Sequence, residues 1–257
     1  MSVFTSVDTQ EDPDRVLSYL DQIANAASGM KHYVMAAHAL RHPEGPILDL
    51  GCGAGHDLVL FNSVGLQAIG VDPSSVLLKA ASNRIDSDLT SLVRGRGESL
   101  PFTSESFSGC RIERVLMHVV EPAVVLAEAV RCIRLGGLIT VYEPDWSEFR
   151  VRDDSGDQRT GWIAGSRHPG IGGHLWKLLE EAGCEVLDRV EERSIWRSLN
   201  VLNAVIGLEA SLQRAIDLER ISQQDAERWI EVQRASEEAG EFVAIATKIL
   251  VVALRSQ

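Results

Sequence analysis

The stretch ILDLGCGAGHDLV, residues 47–59, constrains this chain more than any other. An apolar run closes on Asp49 and Leu50, and glycines then fall at every second position, as Gly51, Gly53 and Gly55. Glycine costs backbone entropy and packs nothing. Three of them where a helix should begin imply a tight turn or a ligand that needs the backbone bare. The reading is strand, turn, helix, with the unpaired N–H groups of the helix start facing a negative group. In open α/β sheets, ligands bind at this edge of the strands.

The same alternation continues downstream. PILDL is a strand and GHDLVLFNSV a helix; QAIGVD is the next strand and SSVLLKAASNR the next helix. SLVRG is a third strand and SFSGCRIER a weaker fourth, followed by the helix PAVVLAEAVRCIR and the strong strand GGLITVYEP. Such alternation predicts a mostly parallel, doubly wound sheet with right-handed crossovers. Ahead of it, apolar positions at three- and four-residue steps predict helices over 13–28 and about 31–41. After Pro144 the pattern loosens, and 145–170 reads as a long functional loop. GGHLWKLLEEAGC then reads as helix and EVLDRVEERSIW as strand. One helix is expected over 200–218 and a second from Ser222, where Asp225 three residues on resembles a capping box. EFVAIATKILVVALR closes as a long strand.

Bulk properties exclude several function classes. The chain has 257 residues and a net charge of −12, a poor electrostatic match for nucleic acid or an anionic membrane. The start, MSVFTSVDTQEDPD, lacks a basic and then apolar leader, so no secretory signal is expected. No apolar run approaches the ~20 residues of a membrane span. Cys52, Cys110, Cys132 and Cys184 are scattered with no CxxC pair, which argues for a reducing, cytoplasmic location and against a thiolate zinc site. His38 and His42 lie one helical turn apart without the glutamate of an HExxH site, so no metal is expected. Self-association into a homodimer is left open.

The second strand ends in GVDPS, and an acid there, Asp72, can accept both hydroxyls of a ribose. A nucleotide-like ligand follows. The dinucleotide spacing G-x-G-x-x-G would need glycine where His56 stands, which argues against an NAD-linked oxidoreductase. Asp49 ahead of the turn is awkward for a pyrophosphate and suits a cationic ligand. That favours S-adenosylmethionine, which carries an ammonium and a sulfonium.

Four ordered stretches then resemble the class I S-adenosylmethionine-dependent methyltransferases: ILDLGCGAG, GVDPS, RGRGESLPF, and SFSGCRIERVLMHVVEP with LAEAVRCIRLGGLITVYEPDW. The likeness covers roughly 45–146. The helical insert before a long final strand is similar to small-molecule methyltransferases of the ubiquinone/menaquinone and actinobacterial natural-product type. The resemblance implies a Rossmann-like α/β fold with a seven-stranded sheet, its last strand antiparallel. It implies one domain over 1–257: an N-terminal helical cap (1–44), a cofactor-binding core (45–146), and a region (147–257) with the acceptor loop, the helical insert (about 198–240) and the closing strands. It places Asp49, Gly51 and Gly53 at the methionine end, Asp72 on the ribose, and Pro73, Gly97 and Glu98 around the adenine. Arg114 would offer backbone to the methionine part. One departure stands out: the family often has aspartate where Arg96 stands, and arginine cannot accept a bond from the adenine amino group.

Methyl transfer from a sulfonium is an in-line displacement that needs alignment and exclusion of water. His118, just past the fourth strand, is the candidate catalytic base by its pKa class. Tyr33, Trp146 and His168 are candidates for contact with a small-molecule acceptor. The expected function is methylation of O, N or an activated carbon on such an acceptor. The alternative is a cofactor-binding protein repurposed as a non-methylating enzyme, such as a cyclase.

Overall fold

In the computed structural model, which describes residues 7–9, 13–25, 29–41, 45–153, 156–159 and 166–257, the predicted alternation builds one mixed sheet. Its strands are β1 (Ile47–Leu50), β2 (Ala68–Asp72), β3 (Thr90–Arg94), β4 (Phe107–Glu113), β5 (Ile133–Asp153), β6 (Gly156–Arg159), β7 (Cys184–Trp196) and β8 (Val243–Arg255). Seven run in the order β3-β2-β1-β4-β5-β8-β7, with β6 hairpinned onto the end of β5. β1 through β5 pair in parallel, whereas β8 is antiparallel to both β5 and β7.

Burial follows position in the sheet. β1 is buried at every residue, as parallel strands covered on both faces are. β3 and β7, at the two edges, are largely half-exposed or exposed. Helices α3 (His56–Ser63), α4 (Ser75–Arg84) and α5 (Pro122–Cys132) are the crossovers. Ser74 caps α4 by accepting from Leu77 N–H at 3.2 Å. The main core, with Leu48, Ile112, Leu126 and Phe149, packs α5 and α6 (Ile171–Glu181) against the sheet. The N-terminal helices are α1 (Pro13–Asn25) and α2 (Gly29–Arg41); residues 26–28 and His42 lie outside the described residues.

Two expectations need correction. The segment from 145 does not leave the sheet: β5 runs on to Asp153 through a register shift between Asp145 and Arg150 and turns back as β6. Only its later part, Ser166–Gly170, is irregular among the described residues. The expected helix over 200–218 is two, α7 (Leu199–Ile206) and α8 (Leu208–Asp217), because Gly207 adopts φ +61° between them. α9 (Gln223–Glu238) begins as expected, with Ser222 Oγ accepting from Asp225 N–H at 3.0 Å.

Candidate functional site

The glycine turn after β1 is built from left-handed backbone. Gly51, Gly53 and Gly55 have φ of +77°, +52° and +79°. A Cβ on Gly51 would lie 2.2 Å from Val115 Cγ2, and one on Gly55 would lie 2.8 Å from Ala81 Cβ. Gly53 meets nothing nearer than Leu20 Cδ1 at 3.8 Å, so this glycine opens toward a cavity. Asp72 at the end of β2 ties the turn down: its Oδ2 accepts from Gly53 N–H at 3.0 Å and its Oδ1 from Ser74 N–H at 2.9 Å. Burial pushes the Asp72 carboxyl up, and these two amides pull it back. Each oxygen keeps a lone pair for a further donor.

The cavity measures about 190 Å³ and lies along this strand edge. It is lined by Gly51, Gly53, Asp72, Pro73, Gly97, Glu98, Arg114 and His118, all expected from sequence. Arg114 holds a left-handed φ of +57°, and its guanidinium donates to the Tyr19 hydroxyl of α1 at 2.8 Å. α1 is also pinned through Asp21, which accepts from Arg84 at 2.6 Å and sits 2.7 Å from the His56 ring. Asp8 accepts from Ser75 N–H at 3.0 Å and from the Ser75 hydroxyl at 2.8 Å, at the start of α4.

Four expected residues sit away from the lining. Asp49 is fully buried behind the turn, with Oδ1 held by Arg111 Nη1 at 2.9 Å and Oδ2 without a hydrogen-bond partner. Burial raises its pKa to about 6. Tyr33 is exposed, its hydroxyl donating to Asp188 at 3.1 Å. Trp146 is buried edge-to-face on Phe149 in the main core. His168 turns Nε2 onto the carbonyl oxygens of Val119 and Val120, at 3.0 and 3.3 Å. It thus pins the 166–170 loop to the segment after β4.

Sequence reasoning missed an ionic cluster beside the glycine turn. Arg111, the register partner of Asp49 on the next strand, donates to Asp49, to Asp57 Oδ2 at 2.6 Å and to Glu113. Lys31 of α2 reaches Asp57 at 2.9 Å and Glu113 at 3.4 Å. Two cations therefore face three carboxylates, and Lys31, Asp57, Arg111 and Glu113 all line the cavity. The signal was the run Arg111-Ile112-Glu113-Arg114, with its charges inside an otherwise apolar strand.

Glu143 was also missed. Fully buried in β5, it accepts from Val115 N–H at 2.7 Å and from Leu116 N–H at 2.6 Å, fixing the segment that leads to His118. Burial raises its pKa to about 8, against the pull of those amides. A carboxyl raised in the folded state binds more protons there than in the unfolded chain, so its contribution to stability is lost as pH rises toward 8. Glu143→Gln removes that loss. We expect the two melting temperatures to lie close at pH 5 and the variant to gain on the wild type toward pH 9. A constant difference across that range would show that Glu143 does not titrate in this way.

Comparison with known proteins closes the case. A family model described as a methyltransferase domain matches residues 48–141, the glycine turn through β5. An uncharacterized 37.1 kDa protein in transposon TN4556 of Streptomyces fradiae is 34% identical, over 94% of this chain and 71% of that protein. Residues 48–141 thus carry the methyltransferase domain, in the fold of the class I S-adenosylmethionine-dependent methyltransferases. An uncharacterized methyltransferase of Mycolicibacterium gilvum is 35% identical over 39% of each chain, so that match spans about two-fifths of the relative. Among solved structures, a candidate methyltransferase of Bacillus halodurans C-125 superposes with a TM-score of 0.64 at 18% identity, covering 88% of this chain and 98% of that one. The [4+2]-cyclase SpnF does so with a TM-score of 0.53 at 19% identity, covering 87% and 81%. Phosphoethanolamine N-methyltransferase 2 of Haemonchus contortus, in complex with S-adenosylhomocysteine, gives 0.61 at 15%, covering 100% of this chain and 61% of that one.

The residues fit the family's cofactor. The bare Gly53 faces the cavity and the Asp72 oxygens retain accepting capacity. The ionic cluster carries one negative charge in excess, which suits a ligand whose ammonium and sulfonium outweigh its single carboxylate.

Proposed function

We propose that this chain transfers a methyl group to O, N or an activated carbon of a small-molecule acceptor, a secondary metabolite, in the cytoplasm. The observation that carries the reading is one continuous cavity. It runs from the Asp72 ribose end, past the glycine turn, to Arg114 and His118. The cofactor supplies a methyl group on a sulfonium, an electrophile that needs no further activation. Asp72 holds the ribose hydroxyls, Gly51 and Gly53 let the backbone approach, and Asp57 and Glu113 supply the negative potential. The net charge of −12 disfavours nucleic acid as the acceptor.

His118 takes a narrower role than its residue type suggests. Burial, with Arg114 and Arg214 nearby, lowers its pKa to about 3. A neutral imidazole with so acidic a conjugate acid is a weak base. It orients the acceptor by hydrogen bonding, and the acceptor must arrive already nucleophilic. Arg214 belongs to α8, so the helical insert lies near this end of the site, which α1 also reaches through Tyr19 on Arg114. With an acceptor in hand, kcat should show no acid limb from His118 between about pH 5 and 8. His118→Gln should retain more activity than His118→Ala. An acid limb near the ordinary histidine pKa that vanishes in His118→Ala would restore the base role.

The test is release of S-adenosylhomocysteine across a panel of phenols, amines, carboxylates and β-dicarbonyl compounds. Acceptor-dependent release supports the transferase. Binding of the cofactor with no release to any acceptor favours the second reading, a repurposed cofactor-binding enzyme, for which the likeness in fold to a cyclase is the motive. Binding of NAD in place of S-adenosylmethionine would overturn both.

A further inference from the structure

The end of the cavity beyond Asp72 is closed by one turn. Gly95 N–H donates to the Asp72 carbonyl oxygen at 3.2 Å, so the turn abuts the end of β2. Gly95, Arg96, Gly97 and Glu98 all line the cavity there. A nucleoside with its ribose on Asp72 has its base against this turn. The turn's backbone has little freedom. A Cβ on Gly97 would lie 2.9 Å from Val125 Cγ1, and Ser99 N–H donates to the Arg96 carbonyl oxygen at 3.1 Å.

The side chains there are less constrained. Arg96 Nη2 donates to Glu98 Oε1 across 3.4 Å, with side chains 70% and 27% exposed. An ion pair that long and that exposed holds weakly, and both groups can turn to a ligand. Arginine offers donors alone, and an ionised glutamate offers acceptors alone. The turn therefore presents one of each to the base, where an aspartate in place of Arg96 would present two acceptors.

Resting on the cofactor reading above, we infer that Arg96 and Glu98 read the base as a donor–acceptor pair, so that this chain accepts hypoxanthine as well as adenine in its cofactor site. Adenine offers a donating amino group at C6 and an accepting N1. Hypoxanthine offers the reverse, an accepting O6 and a donating N1–H. A pair with one donor and one acceptor satisfies either base by exchanging partners. Two carboxylates accept from the adenine amino group and repel O6.

Titration calorimetry with S-adenosylhomocysteine and S-inosylhomocysteine on the wild type and on Arg96→Asp tests this. The wild type should bind the two within about threefold of each other, and Arg96→Asp should widen the ratio to about tenfold or more against the inosyl compound. Arg96 is exposed, so the variant should fold, and its melting temperature checks that. A ratio unchanged by the substitution, whatever its size, overturns the inference while leaving the cofactor reading intact. Failure of the wild type to bind S-adenosylhomocysteine overturns both.

Discussion

Asp72→Ala should weaken binding of S-adenosylhomocysteine at least about a hundredfold, because hydrogen bonds to a charged acceptor contribute roughly 1.5–3 kcal/mol each and two ribose hydroxyls lose theirs. The effect has a second source within the chain. Gly53 N–H and Ser74 N–H both donate to this carboxylate, at 3.0 and 2.9 Å. Removing it leaves two amides without their partner and frees the glycine turn from β2. Loss of affinity should therefore come with a lowered melting temperature in the ligand-free protein. Asp72→Asn separates the contributions: its amide oxygen can keep one of the two backbone bonds, but its NH₂ faces the other donor. Binding to Asp72→Ala within about tenfold of the wild type would place the ribose elsewhere, since so small a change is less than one such bond.

That part of the site was legible in the sequence because it is local. Gly51, Gly53 and Gly55 are a few residues apart, and each is demanded by its own φ. Asp72 is legible as the acid that ends the next strand. The alternation of short apolar runs and helical segments placed β1 to β5 and their crossovers for the same reason. What escaped depends on residues far apart in the chain. Arg111 looks like a flaw in a weak strand until the register sets it beside Asp49, and Lys31 looks like an ordinary helix residue until α2 lies over Asp57. Glu143 is one residue in a strong apolar strand, and its partners belong to the segment after β4. Pro144 and Trp146 suggested that β5 ends where it does not, because β8 offers a long antiparallel partner that keeps the chain extended. Gly207 sits inside an unbroken apolar helical pattern, and its left-handed backbone divides the insert there.

Arg111→Met should cost about 3–5 kcal/mol, the range for removing one partner of a buried ion pair. Over a chain of this size that corresponds to a fall in melting temperature of roughly 6–20 °C. The case rests on what is left behind. Asp49 has 0% exposure, and Asp57 and Glu113 are nearly as enclosed, with side chains 14% and 12% exposed. Arg111 is the cation on all three, and Lys31 touches only two of them. Methionine fills the volume without the charge, so the loss is electrostatic rather than a cavity. The pH dependence gives the sign. Without Arg111 the Asp49 carboxyl is raised further, and a group raised in the folded state loses its stabilising contribution as pH climbs through the raised value. The deficit of Arg111→Met should thus be smaller at pH 5 than at pH 8. Adding Asp49→Asn should recover part of it, since the carboxyl that depended on Arg111 alone is gone. A deficit below about 1 kcal/mol at pH 8 would mean that water reaches the cluster and screens it. The same charges face the cavity, so the stability of β1 and β4 and the negative potential offered to a cationic methyl donor rest on one set of side chains, and Arg111→Met tests both at once.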